Sequence, residues 1–403
     1  MTATSAHTAH NLAEIGGAFE DRFLPYGRQS IDEDDIQAVV DVLRSDWLTT
    51  GPKVAEFEHA FAAVTGAAEA VAISNGTAAL HAAVYAAGIG PGDEVIATPM
   101  TFAASANCVV YQGATPVFAD VNPTDLLLDP AQVAARITER TKAIIAVDYA
   151  GQPCDYDALR ELADAHDLTL IADACHSLGG SYKGRSVGAL ADLSTFSLHP
   201  VKHITTGEGG VITTDDAELA RRMRTFRNHG ITTDHRQREA QGSWFYEMVE
   251  LGYNYRLTDI QCALGISQLK KLPGWIARRQ EIAQIYDRAF ADVPAITPLA
   301  VQPDRAHAYH LYVVRLNLAM VSVDRTQIFA DLRAAGIGVN VHYIPVHLHP
   351  FYQDRFGTRP GLCPVAEAAY AQILSLPIFP AMTDADAARV IRTCQDIITH
   401  YGQ

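Results

Sequence analysis

Short apolar runs alternate with helical segments from residue 70 onward, and this alternation most constrains the fold. The runs read AVAIS, DEVIATP, TPVFADV, KAIIAVDYA, LTLIADA and LSTFSL, with segments such as TAALHAAVYAAG and YDALRELADAHD between them. Apolar strands joined by helical crossovers are typical of a mostly parallel sheet that is covered on both faces. Ligands of such sheets bind beyond the carboxyl ends of the strands. The sequence therefore predicts an α/β domain with its site at that edge.

Helical segments flank this pattern on both sides. Ser30 to Glu33 matches the S-x-x-E capping box and is expected to start a helix, and a second helix after WLTTGP is expected to end at Gly66. Later in the chain, the long helical segment from TDIQCALG to IYDRAF is expected to be interrupted at Pro273-Gly274.

The C-terminal part mixes strand-like segments, HLYVVRLNL and GIGVNVHYIP, with two helical ones, which predicts a smaller α+β domain. A chain of 403 residues is long enough for such a second domain. We expect a mobile tail over residues 1–22, an N-terminal arm and large domain over 23–285, and the small domain over 286–403.

Charge and cysteine usage narrow the class of protein. The formal net charge of −15 argues against nucleic acid or an anionic membrane as the main partner, since both require a basic face. Six scattered cysteines without a C-x-x-C pair indicate reduced thiols. The N-terminus resembles no signal peptide and no apolar run approaches ~18 residues. These features predict a cytoplasmic protein, and they leave room for a phosphorylated small molecule, which needs only a local positive pocket.

The segment SLHPVKHITTGEGG places Lys202 in a polar, glycine-rich loop between two predicted strands. One interpretation is a lysine that forms a Schiff base with an aldehyde cofactor, because an amine with a lowered pKa condenses with aldehydes. The other is a loop lysine that forms an ion pair with Glu208. The segment by itself leaves both interpretations open.

Two further positions suit a charged cofactor. Strand AVAIS runs through Asn75 into Gly76 and Thr77, where a helix begins, and a helix N-terminus after a small turn binds anions; a plain helix cap is the alternative. Strand LTLIADA ends at Asp173, where a carboxylate can hold a pyridinium nitrogen protonated. Asp120 and Asp148 also lie at strand ends, so the pattern alone leaves all three open.

Aromatic and histidine side chains near these strand ends are also candidates. Phe102 could stack on a cofactor ring, although such a residue is more often part of the core, and His176 is a similar case. His342, His347 and His349 lie close together in VHYIPVHLHP, but no carboxylate or cysteine follows at ligand spacing. No metal site is predicted.

Taken together, these segments resemble the DegT/DnrJ/StrS family of pyridoxal-phosphate-dependent sugar-nucleotide aminotransferases. The resemblance runs from about Leu24 to the C-terminus and is carried by WLTTGP, SNGTAAL, TFAASAN, ADACHSLG, SLHPVKHITTGEGG, RNHG, GYNYRLTDIQCALGISQL and VHYIP. It implies the fold type I architecture, with a mostly parallel seven-stranded sheet between helices and a smaller C-terminal domain, and pyridoxal 5'-phosphate as cofactor.

The resemblance also implies roles for individual residues. Lys202 would be the Schiff-base lysine and proton shuttle, and Asp173 the partner of the pyridine nitrogen. Contacts with the cofactor's phosphate or ring would come from Gly76, Thr77, Ser197, Phe102 and His176. Asn254 would reach the phosphate of the neighbouring subunit, which implies a homodimer with shared active sites. The sugar-nucleotide pocket would comprise Tyr26, Trp47, Leu48, Thr49, Arg256, His310 and Tyr312.

Within the family the chain is most similar to a subgroup of pseudaminic acid biosynthesis. That similarity implies transfer of the amino group of L-glutamate to C4 of a UDP-linked 4-keto-6-deoxy-N-acetyl sugar. The alternatives are another ketosugar, linked to dTDP or GDP, and a cofactor-binding regulator without turnover. Lys202 is present and no basic patch suggests DNA binding, so an enzyme is favoured over a regulator.

Overall fold

In the computed structural model, the described part of the chain comprises residues 22–233, 235–240 and 242–402, without the side chain of residue 235. The predicted tail, residues 1–22, lies outside this part except for its last residue. Everything below refers to the described residues.

The strands fall into one large sheet and two small ones. The large sheet contains β1 Glu69–Ile73, β2 Glu94–Ala97, β3 Thr115–Phe118, β4 Thr141–Val147, β5 Thr169–Asp173, β8 Leu193–Ser197 and β9 Gly210–Thr214. The small sheets contain β6 Ser181–Tyr182, β7 Arg185–Ser186 and β11 Arg305–Ala306, and β10 Ile296–Pro298, β12 Tyr312–Leu316 and β13 Ile373–Leu376.

Helices connect and cover these strands. Those of the large domain are α1 Glu33–Leu43, α2 Pro52–Thr65, α3 Gly76–Ala86, α4 Ala104–Tyr111, α5 Pro130–Ala134, α6 Tyr156–His166, α7 Ala217–Phe226, α8 His235–Ala240 and α9 Asp259–Leu269. They are followed by α10 Leu272–Phe290, α11 Arg325–Ala334, α12 Pro350–Phe356, α13 Pro364–Tyr370 and α14 Asp384–Tyr401.

The large sheet has the strand order β1-β9-β8-β5-β4-β2-β3, and it is parallel from β8 to β3. Only β9 runs antiparallel to its two neighbours. Because β5 and β8 are adjacent and parallel, the strand ends at Asp173 and Ser197 lie at the same edge of the sheet. The predicted α/β architecture is confirmed.

Buried apolar residues cover both faces of the sheet and fill a third cluster in the C-terminal part. That third cluster includes Ile282, Tyr286 and Phe290, so the second half of α10 packs with the small domain. We therefore propose a domain boundary within α10, near residue 285.

Three local predictions are wrong. The capping box of α1 is formed by Asp32 and Asp35 instead of Ser30 and Glu33, because the Asp32 carboxylate accepts from the Asp35 N–H at 3.2 Å. The break between α9 and α10 falls at residues 270–271, since Pro273 is tolerated within the first turn of α10.

The third concerns GIGVNVHYIP, which forms only isolated bridges. Asn340 pairs with Ser375 of β13, whereas Ile337 pairs with Leu24, whose carbonyl accepts the N–H of Gly338 at 2.7 Å. The strand beside β12 is β13 instead.

Candidate active site

Lys202 lies in the loop between β8 and β9, where two backbone hydrogen bonds brace the chain. Its N–H donates to the carbonyl of His199 at 2.9 Å, and Thr206 donates to that of Leu198 at 3.1 Å. The amine Nζ is 3.3 Å from Nε2 of His310. Burial lowers the pKa of this amine, an effect partly opposed by Cys175 and Asp173. A lysine that is readily neutral is suited to nucleophilic and proton-transfer chemistry.

Glu208 is not the partner of this lysine. Within the described residues Lys202 forms no ion pair with a carboxylate, and the carbonyl of Glu208 accepts from Thr206 at 2.7 Å. The ion-pair interpretation of the loop is therefore wrong.

Asp173 ends β5 beside this loop. Its carboxylate accepts the hydroxyl of Ser105 at 2.6 Å and the N–H of Cys175 at 3.3 Å. Ser105 lies on α4 and was not predicted as a site residue; its only signal was its place in the TFAASAN segment. The hydrogen bonds hold the carboxylate at the sheet edge within electrostatic range of Lys202.

The other two strand-end aspartates are occupied by structural hydrogen bonds. Asp148 is fully buried and accepts from the hydroxyls of Tyr156 at 2.8 Å and Ser177 at 2.6 Å, and burial raises its pKa to about 6. Asp120 accepts the N–H groups of Val365 at 2.8 Å and Ala366 at 3.0 Å, which are free in the first turn of α13. Of the three, Asp173 alone acts on the pKa of Lys202.

The start of α3 forms a cradle suited to an anion. Asn75 caps the helix by accepting the N–H of Ala78 at 2.8 Å, and the first-turn N–H groups of Gly76 and Thr77 have no helical carbonyl to bond. A Cβ on Gly76 would come within 2.9 Å of the Ser197 Cβ, so only glycine lets this turn approach the end of β8. Gly76, Thr77 and Ser197 are thus brought together.

The space around the Lys202 amine, here called the crevice, is bordered by the rings of His310, His176 and Tyr343. His176 is buried, its ring centroid is 4.3 Å from that of His310, and its Nε2 is 3.1 Å from the hydroxyl of Tyr343. Phe102 is 60% exposed with its ring 6.2 Å from Tyr343, so it belongs to the rim and not to the core. Tyr343 was not singled out from the sequence, although it lies in the VHYIP segment.

The residues assigned to a sugar-nucleotide pocket fall into separate places. His310 lies against Lys202, and the ring of Tyr26 packs 5.2 Å from that of His342. Tyr312 does not reach the crevice, because its hydroxyl donates to Asp287 at 2.6 Å inside the small-domain core. Its assignment to the pocket is corrected here.

The remaining pocket residues form a second group around the start of α2. Arg256 donates to the Asn228 side chain at 2.9 Å and lines a cavity of about 340 Å³ together with Thr50. Trp47 lies under the guanidinium of Arg236 at 5.9 Å. Leu48 and Thr49 lie against the start of α9, because the carbonyl of Leu48 accepts the N–H of Asp259 at 3.1 Å and Thr49 pairs with Thr258. Asn254 is exposed and pairs with Asn228 through an isolated β-bridge.

The histidines after residue 340 have structural partners. His342 shares a hydrogen bond of 2.8 Å with Ser375, and His347 lies 2.8 Å from a carboxylate oxygen of Glu367. His349 directly precedes α12. In the part of the chain that the structure describes, no three His, Cys, Asp or Glu side chains are arranged to hold a metal ion. The described helices likewise include none that is long and apolar enough to cross a membrane.

A desolvated lysine, a strand-end carboxylate and an anion cradle at one sheet edge define a class, the enzymes that bind pyridoxal phosphate through a lysine. The chain belongs to the DegT/DnrJ/EryC1/StrS aminotransferase family, whose model matches residues 29–395. It is a pyridoxal-phosphate-dependent sugar aminotransferase. The predicted fold class, cofactor and type of enzyme are confirmed.

Individual relatives agree with this assignment. The chain is 44% identical over 378 residues to the spore coat polysaccharide biosynthesis protein SpsC of Bacillus subtilis, covering 93% of this chain and 97% of that one. Helicobacter pylori PseC, an aminotransferase involved in the biosynthesis of pseudoaminic acid, superposes with a TM-score of 0.88 at 34% identity, covering 94% and 100% of the two chains.

A sugar aminotransferase from Streptococcus pneumoniae, Spr1654, matches equally well. Its PMP form has a TM-score of 0.88 at 34% identity and covers 94% of this chain and 99% of its own.

Proposed function

We propose that this enzyme transfers the amino group of L-glutamate to C4 of a UDP-linked 4-keto-6-deoxy-N-acetyl hexose. The products are the 4-amino sugar nucleotide and 2-oxoglutarate, and the activity is that of a UDP-4-amino-4,6-dideoxy-N-acetyl-β-L-altrosamine transaminase. The observation that carries the chemistry is the Lys202 amine, which is half-buried at the sheet edge with a lowered pKa.

The residues at this edge fit pyridoxal phosphate. When bound, the cofactor supplies an electron sink for the carbon that gains or loses the amino group. Lys202 would hold it and move the proton between donor and acceptor carbons. Asp173 would face the pyridine nitrogen, and the cradle of Gly76, Thr77 and Ser197 would bind the phosphate. The rings of His176 and Phe102 would pack against the cofactor.

The choice of sugar rests on similarity. PseC acts in pseudoaminic acid biosynthesis, and the present chain aligns with all of it. Arg256 and Arg236, around the cavity of about 340 Å³, supply local positive charge for a diphosphate in a chain of net charge −15. The alternative is a ketosugar linked to dTDP or GDP.

We also propose that the enzyme is a homodimer with shared active sites. The segment from Trp244 to Leu251 exposes a series of large apolar side chains, with Trp244 85% and Leu251 75% exposed. An apolar patch of this kind marks an interaction surface. Asn254 lies three residues after Leu251 and is exposed, as expected of a residue that reaches a neighbouring subunit. All six cysteines are unpaired, which supports action in the reducing cytoplasm.

The test combines a spectrum with a substrate comparison. The purified protein should show the visible band of lysine-bound cofactor, and L-glutamate should convert it to the amine form. Turnover is then measured with the UDP-, dTDP- and GDP-linked 4-ketosugars. A clear preference for the UDP-linked sugar supports the proposal. A preference for the dTDP- or GDP-linked sugar would refute the proposed substrate, while the assignment as an aminotransferase would stand.

A further inference from the structure

Arg279 is a buried cation that holds the segment carrying His310. It lies on α10 and is 0% exposed. One guanidinium nitrogen donates to the carbonyls of Ile378 at 2.9 Å, Tyr309 at 3.0 Å and His310 at 3.4 Å. Its Nε and second terminal nitrogen have no partner in the described structure, and no carboxylate there forms an ion pair with it. A buried charge without a counter-ion is costly, so a functional reason is expected.

The backbone of His310 is placed by a close approach. Gly151, at a φ of 112°, lies so near that a Cβ would come within 2.8 Å of the Tyr309 nitrogen and 2.9 Å of the His310 nitrogen. Ala308 donates to the carbonyl of Gly151 at 2.8 Å. Arg279 holds the same segment from the other side through the two carbonyls. The imidazole is therefore fixed against the Lys202 amine.

The titratable groups that face His310 are all basic, and burial holds the pKa of two of them, His176 and His203, well below its usual range. Lys202 and His203 face it from the loop after β8, His176 from the loop after β5, and Arg279 from α10. Burial and then these groups hold the pKa of His310 well below its usual range. None of the described groups acting on it is a carboxylate, so the imidazole stays neutral at physiological pH.

The neutral imidazole has one useful tautomer. Its Nδ1 is buried without a partner. An unpaired buried N–H donor is costly, so the proton belongs on Nε2, the nitrogen that lies 3.3 Å from Lys202. An N–H donor at that place bonds the lone pair of a neutral amine, and an ammonium group has no lone pair to accept it.

We propose that Arg279 and His310 are positioning residues for Lys202: the buried guanidinium holds the backbone at His310 through the carbonyls of Tyr309 and His310, and the imidazole N–H holds the amine as an oriented free base. The proposal rests on the function proposed above, because it gives Lys202 its reactive state. The proposal assigns His310 to the positioning of Lys202 instead of to the sugar-nucleotide pocket. The sequence around Arg279 gave no indication of such a role.

The first test addresses the anchor, in the full-length chain. Backbone deuterium exchange, followed by mass spectrometry, reports how firmly the segment that carries His310 is held. In Arg279→Lys, which keeps a buried donor, exchange in this segment should stay close to that of the wild type. In Arg279→Met, which removes the donors to the three carbonyls, exchange should be at least about tenfold faster, and the labelling of Lys202 described next should fall as it does in His310→Ala. Equal exchange in the two variants, or unchanged labelling of Lys202 in Arg279→Met, overturns the proposal.

The second test addresses the amine. Full-length protein freed of cofactor is labelled with trace acetic anhydride across pH 6 to 10, and Lys202 is compared with exposed Lys142 in the same digest. His310→Ala should lower the relative labelling of Lys202 at pH 7.5 about tenfold, which corresponds to about one pKa unit. His310→Gln retains an N–H donor and should restore labelling to within about threefold of wild type.

An unchanged Lys202 profile in His310→Ala, or equal loss in both variants, overturns the positioning role. His307→Asn is the matched control, since it alters a neighbouring buried histidine but keeps an acceptor for the Tyr309 N–H. It should leave the profile unchanged, and a shift as large as that of His310→Ala counts against the proposal. Neither test needs a ketosugar, so an error in the proposed reaction would appear separately, in the turnover assays.

Discussion

The crevice around Lys202 and the surface around Asn254 differ in how completely one chain builds them. In the crevice, Asp173 is held by Ser105 and the lysine lies against His310, so the chemical groups have their partners within the chain. At the surface, Trp244 and Leu251 are largely exposed and Asn254 projects beside them. The chain thus provides partners for its chemical groups by itself, whereas the exposed apolar surface is the one that the proposed homodimer would cover.

The strongest way to break this comparison is to remove the lysine. Lys202→Ala should reduce transamination by at least about 10³-fold, because Lys202 is the one lysine among the described residues that lies at this sheet edge, where it can hold the cofactor and move the proton. Turnover and the visible cofactor band are measured together. Lys142→Ala, which removes an exposed lysine, is the control and should be unaffected. Retained turnover in Lys202→Ala would refute the assignment.

Asp173→Asn should leave the cofactor bound and reduce the rate about 10²-fold, a cost typical of losing one preorganised electrostatic partner. The Ser105 hydroxyl can still bond the amide, so the fold should be kept. Rate and cofactor content are measured side by side. A nearly unchanged rate would show that Asp173 is not the partner of the pyridine nitrogen and would return Asp148 and Asp120 to consideration.

Mixing two inactive variants sharpens the comparison further. Asn254→Ala and Lys202→Ala should each be strongly impaired alone. If sites are shared, a mixed dimer contains one site with both residues intact, so random re-association of equal amounts should restore about a quarter of wild-type activity. No recovery, with dimer exchange shown by differently tagged chains, would contradict shared sites.

The smallest expected effect is a pH-dependent change in stability from Asp148. Burial raises the folded-state pKa of this carboxyl from 3.8 to about 6, so the fold favours the protonated form. This contribution is present at low pH and is lost as the pH rises through about 6. The unfolding free energy of wild type relative to Asp148→Asn should therefore fall, by up to about 1.4 kcal/mol per pH unit between those values.

Denaturant unfolding at several pH values measures this slope, with exposed Asp396→Asn as the control that should show none. A flat difference for Asp148→Asn would mean that the carboxyl titrates normally in the folded protein.

Local sequence patterns predicted much of the site. The strand ends at Asp173 and Ser197, the turn at Gly76 and the loop at Lys202 all follow from apolar runs that stop at polar residues. Parallel strands bring their carboxyl ends to one edge, so these residues could be expected at the same edge, and the adjacency of β5 and β8 in the structure places Asp173 and Ser197 there. The pattern could not choose among the three strand-end aspartates, because the groups that bond Asp148 and Asp120 include Ser177 and Val365, which lie 29 and 245 residues away along the chain.

The sequence by itself determined the strand–helix alternation, the sheet edge at which the candidate site residues lie and, by resemblance, the family. Only the tertiary structure showed that Tyr312 belongs to the small-domain core, that His310 meets Lys202, and that Arg279 lies buried behind it. The physical reason is the separation along the chain of the residues that interact. Strands and helix starts depend on neighbours a few residues away, whereas the contacts of Lys202 and Arg279 join segments up to 108 residues apart along the chain.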